Sequence, residues 1–345
     1  MRKFLLKCLI NTLFQAKKTI RIIIFIFIIM TIQQIYNLAI EQGIKNDFRP
    51  KLEINRMLKK KKEQFDKLPE KKKKFFDKEN LRNPYSDTRI LWEGDSKKQI
   101  KKIAVGIDID SSELLLADKL GDIDLVISHH PIGISLAGLD EVMHLQADIL
   151  SQYGVPISAV EGLLGPRINE VNRGLSPINH NRTVDTARLL NMPLASFHTI
   201  TDNMVAQYLS SLIKKKKPLF IFDLMKILMD IPEYQEAEKI KAGPRIFSGS
   251  LNKHCGKIII DMTGGTTGSP EIYEKLSNAG VSTVVGMHLA EKNRENADKA
   301  HINMVIAGHM SSDSIGMNLF LDQIFRSTQN KIEIVPLGGF INHRR

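Results

Sequence analysis

Histidines stand at three places where an apolar stretch of the chain ends, and at two of these an aspartate follows four residues later. These residues are His129, His130, His198, Asp202, His309 and Asp313. Imidazole and carboxylate groups form a ligand set that suits Fe, Zn or Mn. His309 and Asp313 are four residues apart, so a helix that begins there would carry both side chains on one face. The pattern therefore predicts a metal site that gathers the three places.

Each place taken singly has a simpler interpretation. His129-His130 precedes Pro131 and would equally suit a hydrogen-bonded pair of histidines at the surface. Asp313 would equally stabilise the N-terminus of a helix through its negative charge. Three such stretches in a chain with only 10 histidines favour a common site over coincidence.

From Lys102 onward, short β-branched stretches alternate with helix-like stretches, which is typical of an α/β protein. The predicted strands are 103–109, 125–128, 155–160, 194–197, 257–262, 281–287, 302–308 and 331–337. The predicted helices are 203–212, 269–279, 289–299 and 311–326. Asp110 and Glu113 have the spacing of a capping box at the start of a further helix.

Two segments resemble each other, DLVISHHP (124–131) and INMVIAGHMSS (302–312), because each is an apolar strand that ends in histidine. The similarity predicts two related α/β halves, 101–212 and 251–345. We expect them to face each other across a site at the carboxyl ends of their strands, where open α/β sheets bind ligands. Residues 213–250 are predicted to be an irregular insertion between the halves.

The segment that precedes the α/β halves has a different character. Residues 30–100 are predicted to be helical and lysine-rich, with solvated helices interrupted at Pro69; the alternative is a phosphate-binding arm. Residues 1–29 contain most of an apolar run (20–32) that is shorter than the roughly 20 residues needed to span a bilayer. We interpret residues 1–29 as an extension upstream of a natural start at Met30, with a membrane-associated segment or an ordered helix as alternatives. No stable membrane insertion is expected.

The net charge of +11 is distributed unevenly. Residues 1–102 contain 26 Lys and Arg against 11 Asp and Glu, whereas the remaining residues contain 23 against 27. A basic face on the α/β halves would have indicated nucleic-acid binding, so nucleic acid is a disfavoured partner. Cys8 and Cys255 are too few and too far apart for a disulfide framework or a thiolate metal site. This cysteine usage fits a cytoplasmic protein.

A glycine-rich turn, TGGTTGS (263–269), lies between a predicted strand and a predicted helix. The backbone N–H groups of such a turn can bind a phosphate. We therefore predict that Gly264 and Gly265, together with His198, contact a substrate. The turn matches neither the Walker nor the dinucleotide-binding fingerprint, and a tight left-handed turn would explain its glycines equally well.

The order of the motifs strand-SHHP, HTxxD and AGHxxxD resembles the Nif-three family (NGG-one-interacting factor three), also known as GTP cyclohydrolase I type 2 homologues. The resemblance covers roughly residues 30–340 and implies two α/β halves around a dinuclear metal site, in a toroidal homohexamer. Carried over residue by residue, it implies that the metal ligands are His129, His130, Asp202, His309 and Asp313. The family usually has Glu where this chain has Asp313.

These features predict a dinuclear metal-binding protein that is a metal-dependent hydrolase of a nucleotide-like or phosphorylated small molecule. The expected cofactors are two divalent metal ions, Fe, Zn or Mn, which would lower the pKa of a bound water and polarise the electrophile. The alternative is a non-enzymatic metal-binding ring that traffics iron or interacts with proteins or DNA, because a fold does not fix a function.

Overall fold

Two β-sheets with helices on their faces form the framework of residues 29–345, the part of the chain that the computed structural model describes. The strands in this range are β1 (Thr88–Trp92), β2 (Lys102–Gly106), β3 (Leu125–Ser128), β4 (Leu194–Phe197), β5 (Arg245–Ser248), β6 (Lys257–Asp261), β7 (Val281–Gly286), β8 (Asn303–Ile306) and β9 (Glu333–Leu337). The first sheet has the strand order β1-β4-β3-β2-β9, and the second has the order β5-β8-β7-β6. The predicted α/β fold class is confirmed.

Helices connect the strands and cover the sheets. In chain order they are α1 (Ile32–Lys45), α2 (Lys51–Asp66), α3 (Glu70–Lys73), α4 (Ser111–Leu120), α5 (Ile134–Ala137), α6 (Leu139–Val142), α7 (His144–Gln152), α8 (Ile157–Leu175), α9 (Arg182–Leu189), α10 (Thr199–Lys216), α11 (Ile221–Met229), α12 (Pro232–Lys239), α13 (Ile272–Asn278), α14 (Glu291–Lys299) and α15 (His309–Thr328), with a 3₁₀ helix at Lys78–Leu81. The predicted capping box is confirmed, because the backbone N–H of Asp110 donates to the Glu113 carboxylate at the start of α4.

The two sheets repeat one topology. In the first, β2, β3 and β4 are parallel neighbours and β1 adds antiparallel to β4. In the second, β6, β7 and β8 are parallel neighbours and β5 adds antiparallel to β8. The strands β1 to β4 therefore correspond in order to β5 to β8, which gives the chain two related α/β halves.

This correspondence corrects the predicted pairing of segments 124–131 and 302–312. The first contains β3, which corresponds to β7, whereas the second contains β8, which corresponds to β4. The prediction matched the wrong strands because β3 and β8 are both apolar and both precede a histidine. Residue His130 thus corresponds to His288, and His198 corresponds to His309.

The final strand extends a different sheet from the one its position suggests. Strand β9 lies in segment 251–345, which was predicted as the second half, but it pairs with β2 of the first sheet. Lys102 faces Glu333 across this pairing, and their side chains form an ion pair of 3.0 Å. The chain therefore returns to its first sheet after completing the second.

Two sequence-based assignments between the strands were wrong. Segment 155–160, predicted as a strand, instead leads into α8, where Val160, Leu164 and Ile168 are buried at helical spacing. Segment 213–250, predicted as irregular, contains the end of α10, the helices α11 and α12, and β5. In both places the apolar residues are spaced to bury one face of a helix against a sheet.

The lysine-rich region folds into helices that lie on the surface. In α2, Ile54 is the buried residue, and the lysines are exposed or half-buried. The helix ends before Pro69, which precedes α3. Met30 is buried and forms a β-bridge with Ile100. Residues 1–28 lie outside the described part of the chain. They include most of the apolar run at 20–32 and nearly all of the predicted extension at 1–29.

Between residues 29 and 345, no helix combines the length and the apolar character required to cross a membrane.

The helices that follow β4 and β8 pack directly against each other. Gly316 of α15 lies so close to α10 that a Cβ atom at this position would come within 2.4 Å of the carbonyl oxygen of Thr201. Ile200 of α10 and Met317 and Phe320 of α15 are fully buried in the same core. This close crossing brings the first turns of the two helices together, where both halves contribute polar side chains.

Candidate metal centre

The centre forms where α10 and α15 begin. Each helix follows the last parallel strand of its half and carries a histidine and, four residues later, an aspartate: His198 and Asp202 in the first half, His309 and Asp313 in the second. Asp202 lies in the first turn of α10, where the partial positive charge of the helix N-terminus favours a carboxylate, and Asp313 follows the first turn of α15. Both carboxylates are buried, with exposures of 3% for Asp202 and 0% for Asp313.

The loop after β3 completes this group with two adjacent histidines. The backbone N–H groups of His129 and His130 donate to the carbonyl oxygens of Gly106 and Ile107, which fixes the turn at the end of the strand. The ring of His129 lies 4.9 Å from that of His198, and the ring of His130 lies 5.0 Å from that of His309, measured between centroids. The six residues His129, His130, His198, Asp202, His309 and Asp313 are hereafter the His–Asp cluster.

The Asp313 carboxylate lies at the middle of the cluster. Its Oδ2 atom is 3.4 Å from Nε2 of His130 and 3.5 Å from Nε2 of His309. The two Nε2 atoms are themselves 3.4 Å apart. Two ligands about 2.1 Å from a common cation at a tetrahedral angle lie about 3.4 Å apart. These three atoms therefore have the spacing of three ligands of one ion.

The other oxygen of Asp313 faces a second set of ligand atoms. Its Oδ1 atom is 3.4 Å from Nε2 of His129, which in turn is 3.5 Å from Oδ1 of Asp202. The second oxygen of Asp202 is 3.8 Å from Nε2 of His198. The shorter side chain of Asp313, where the resembling family has Glu, thus still reaches histidines on both sides.

Several of these atoms have no hydrogen-bond partner within residues 29–345. They are Nε2 of His129, Oδ1 of Asp202 and both carboxylate oxygens of Asp313. A buried polar atom without a partner is costly and rare in native proteins. Four such atoms in one place fit a site that a cation completes.

Hydrogen bonds on the outer side of three of the rings, those of His129, His130 and His198, turn their Nε2 atoms inward. Nδ1 of His130 is 2.7 Å from the Asp108 carboxylate, and Nδ1 of His198 is 2.8 Å from the Asp87 carboxylate. Nδ1 of His129 is 3.0 Å from the hydroxyl of Thr201, which donates its own proton to a backbone carbonyl and can only accept from the ring. When neutral, each of these three rings therefore carries its proton on Nδ1 and can present a lone pair on Nε2, as in metal-binding histidines.

The charge balance of the cluster shifts the pKa values of its members. Burial lowers the pKa of His129 to about 4, so this ring is neutral. Burial and two nearby carboxylates raise the pKa of Asp202 to about 8. Burial also disfavours the Asp313 carboxylate, but three neighbouring histidines hold its pKa well below the usual range. The cluster therefore contains neutral imidazole and a strongly stabilised carboxylate, both suited to a divalent cation.

His198 behaves differently from the other rings. Although burial opposes its charge, the carboxylates of Asp202, Asp87 and Asp313 raise its pKa to about 9. The sequence predicted a substrate contact here. The structure buries His198 beside Asp202, and this residue is among those that line the cleft described next.

One side of the cluster opens into a cleft. The residues on its wall include His130, His198, Gly265, Thr267, His288 and His309. The His309 side chain is 36% exposed, which makes it the most accessible member of the cluster. Small molecules can therefore reach the cluster from this side.

The two predicted glycines have different positions. Gly265 lines the cleft, whereas Gly264 packs against Gln146, whose amide donates to its carbonyl oxygen at 2.7 Å. Both have a positive φ, which accounts for glycine at these positions. The structure brings Gly265 close to the cluster and gives Gly264 a role in the turn.

Sequence reasoning missed Thr201, Asp87 and Asp108, which hold the histidine rings. His288 stands at the end of β7, and its Nδ1 atom is 2.8 Å from the Thr267 hydroxyl. The ring of His288 is 5.0 Å from that of His309. Its position directly after the predicted strand 281–287 indicated that it could line the same cavity, and the structure places it on the wall of the cleft.

Two groups of side chains in the described region have the composition and spacing of a metal site. One is His129, His130 and Asp313, and the other is His129, His198 and Asp202. The ligand atoms within each group lie within 4.8 Å of one another. The His–Asp cluster can therefore hold metal ions.

Comparison with known proteins finds solved structures that are similar to this chain. No protein-family model matches this chain, and no curated protein matches it. A NIF3 superfamily protein from Sphaerobacter thermophilus superposes with a TM-score of 0.64 at 26% identity, over 74% of this chain and 91% of that one. Reduced HcgD from Methanocaldococcus jannaschii has a TM-score of 0.47 at 16% identity, over 76% and 94%. A Bacillus cereus protein related to NIF3 has a TM-score of 0.38 at 10% identity, over 72% and 89%.

Proposed function

We propose that this chain, which has the fold of the NIF3 superfamily, is a metal-dependent hydrolase. In this proposal two divalent metal ions bind in the His–Asp cluster, and the substrate is a nucleotide-like or phosphorylated small molecule that enters through the cleft. The observation that carries the proposal is the set of buried, unpartnered ligand atoms on His129, Asp202 and Asp313.

The distances suggest which residues would hold each ion. His130, His309 and Oδ2 of Asp313 form a triangle with edges of 3.4 to 3.5 Å and would hold one ion. His129, Asp202 and Oδ1 of Asp313 would hold the other. Asp313 would then bridge the pair, and the five ligands implied by the family resemblance would all be used.

Two bound divalent ions supply a water of lowered pKa and an electrostatic clamp for a phosphoryl or carbonyl group. A side chain beside the cluster, that of His288, would supply proton transfer. Burial lowers the pKa of His288 and keeps it neutral, and its Nδ1 atom is occupied by Thr267. Its Nε2 atom is therefore available to accept or donate a proton at a ligand in the cleft.

The same resemblance supports a homohexamer in which the metal centres face an interior cavity. The binding partners of this chain would then be further copies of itself and the small-molecule substrate. In a ring of this kind, the cleft of each subunit would open to the interior.

Metal removal and restoration would test the hydrolase. We would treat the purified protein with a chelator, restore Fe, Mn or Zn, and assay hydrolysis of a panel of nucleotides and phosphoesters. Activity should disappear with the metal and return with it. The His309→Ala variant should lower the activity at least about tenfold because a ligand is lost, while His144→Ala, an exposed histidine outside the cluster, should not change it.

A different outcome would identify the alternative function. If chelation lowers the melting temperature but no substrate in the panel is hydrolysed by the metal-loaded protein, the metals stabilise the fold without catalysis. The protein would then be a metal-binding ring that traffics iron or interacts with other macromolecules.

A further inference from the structure

The lysine-rich region has a defined end, residues 67–78, hereafter the lysine tip. It rests on two half-buried aromatic rings, those of Phe65 and Phe76, whose centroids are 4.9 Å apart. Lys73 lies over the Phe65 ring and forms an ion pair of 2.7 Å with Glu70. These contacts hold the short helix α3 against the end of α2, so the tip has a fixed shape.

The next phenylalanine projects from the lysine tip. The side chain of Phe75 is 81% exposed, although Phe76 beside it packs against Phe65. The ammonium group of Lys74 lies 4.8 Å from the centre of the Phe75 ring. On surfaces that bind membranes, a phenylalanine enters the lipid while the lysines around it stay at the headgroups. The tip has this combination of side chains.

The lysine tip carries positive charge that the protein does not neutralise. It contains six lysines and two acidic residues. Both acidic residues are already paired, Glu70 with Lys73 and Asp77 with Arg89. Within residues 29–345, the other five lysines form no ion pair, and all five are exposed. They are Lys67, Lys71, Lys72, Lys74 and Lys78.

The lysine tip lies beside the beginning of α1. Directly after the tip, the Glu79 carboxylate accepts from the Tyr36 hydroxyl at 3.1 Å, and the Arg82 guanidinium donates to the Asn37 side chain at 3.3 Å. Helix α1 begins about 7.5 Å along its axis before Asn37. The apolar run 20–32 ends at this point of the sequence. An apolar stretch of the chain therefore joins the fold next to the lysines.

We propose that the lysine tip is a docking surface for an anionic lipid bilayer. The lysines attract anionic headgroups, and the Phe75 ring enters the boundary between the headgroups and the acyl chains. Charge alone would equally attract nucleic acid, but a bilayer also offers an apolar interior to Phe75 and to the run 20–32. A basic patch combined with an apolar group is the pair of signals that gives stable surface binding. The inference is independent of the proposed hydrolase.

Vesicle sedimentation with the full chain tests the proposal. One set of vesicles contains phosphatidylcholine alone, and the other contains phosphatidylcholine with phosphatidylserine. Each lysine near an anionic membrane contributes roughly fivefold in affinity, so the anionic vesicles should bind at least about tenfold more tightly. Added salt should weaken this binding. Equal binding to both sets, or no binding to the anionic set, would overturn the proposal.

Two matched triple variants assign the binding to its surface. Lys71→Gln/Lys72→Gln/Lys74→Gln removes three charges from the lysine tip and should weaken binding to the anionic vesicles by about 100-fold. The control Lys214→Gln/Lys215→Gln/Lys216→Gln removes three exposed lysines from the end of α10 and should bind nearly as well as the unmodified chain. Equal losses in the two variants would show that only net charge matters, and the assignment to the tip would be wrong.

The variant Phe75→Ala tests whether the ring enters the membrane. It should weaken binding to the anionic vesicles severalfold and leave the salt dependence unchanged, because no charge is lost. Binding equal to that of the unmodified chain would overturn the role of Phe75.

A duplex oligonucleotide tests the other anionic partner. The full chain should bind the anionic vesicles in its presence at the same ionic strength. If the oligonucleotide instead binds more tightly and displaces the vesicles, the lysine tip is a nucleic-acid surface and the proposal is overturned. Metal content should be the same in all variants, because none of the changed residues belongs to the His–Asp cluster.

Discussion

The outer hydrogen bonds of the histidine rings decide whether their inner nitrogens can bind a metal. Asp108 is the most accessible of these partners, because its side chain is 69% exposed while it holds Nδ1 of His130 at 2.7 Å. Without this acceptor the His130 ring can rotate or move its proton to Nε2. Such outer partners typically contribute a factor of about 10 to 100 in metal affinity.

We therefore expect Asp108→Ala to weaken metal binding by about 10- to 100-fold. Its stability in the metal-free state should stay within about 0.5 kcal/mol of the unmodified chain, because the residue is exposed. Competition with a chelator would measure the affinity, with Asp118→Ala as the control. An unchanged affinity would show that Asp108 does not position His130 for a metal.

Asp261 should make stability depend on pH. Its pKa of about 6 in the folded chain lies above the value of about 3.9 expected when unfolded, so its protonated form favours folding. That contribution is fully present below about pH 4 and is lost as the pH rises through about 6. The neighbouring titratable groups in contact with its charge, Tyr153 and Tyr273, stay neutral in this range.

The variant Asp261→Asn should therefore have a higher melting temperature than the unmodified chain at pH 8, and the difference should be clearly smaller at pH 4.5. Differential scanning calorimetry at the two pH values measures this difference. A lower melting temperature for the variant at pH 8 would mean that the carboxylate has a stabilising partner.

At the residue scale, the sequence predicted the members of the His–Asp cluster better than their supports. A histidine followed by an aspartate four residues later at the start of a helix is a local pattern. The supports are not local, since Asp108, Thr201 and Asp87 are 22, 72 and 111 residues away from the histidines that they hold. No spacing in the sequence connects such pairs before the chain folds.

At the element scale, the centre depends on the close crossing of α10 and α15. Gly316→Ala should separate the two helices, because the added Cβ atom would meet the Thr201 carbonyl oxygen at 2.4 Å. We expect a loss of about 1–3 kcal/mol in the free energy of unfolding. Metal affinity should fall as well, since Thr201 holds His129 and Asp313 lies one turn before Gly316.

A second helical glycine provides the control. Gly162 in α8 has nothing within 4 Å of the position of an added Cβ atom, so Gly162→Ala should stabilise the chain by about 0.5–1 kcal/mol. Chemical denaturation of both variants compares the two free energies. Equal effects would show that the α10–α15 contact tolerates a methyl group.

Some strands were predicted correctly from the sequence and other segments were not, and the difference has a physical reason. Strands such as β3 and β4 matched because short apolar stretches ended by polar residues are fully buried in a parallel sheet. Segment 155–160 has the same composition as a strand, but its apolar residues continue at helical spacing to Ile168. The position of β9 beside β2 follows from long-range pairing, which a local pattern does not encode.

At the scale of the whole molecule, the repeated topology explains why ligands come from both halves. The corresponding pairs His198–Asp202 and His309–Asp313 meet because α10 and α15 cross near their first turns. The halves are not identical, since His129 corresponds to Met287 and the first half therefore contributes one more histidine. The centre can form only when both halves are folded and in contact.

The assembly predicted by the family resemblance is a homohexamer. Light scattering coupled to size-exclusion chromatography at micromolar concentration should give about six times the chain mass of 39.0 kDa. A monomer at this concentration would contradict the hexamer and leave the metal centre, which lies within one chain, unaffected.

Elemental analysis of the purified chain tests the central claim most directly. After supplementation with Fe, Mn and Zn, the unmodified chain and the control Asp118→Ala should contain close to two metal ions per chain. Asp313→Ala should lose at least one, because Asp313 is the carboxylate that faces His129, His130 and His309. An unmodified chain that stays metal-free, or an Asp313→Ala variant that keeps both ions, would contradict the proposed metal centre.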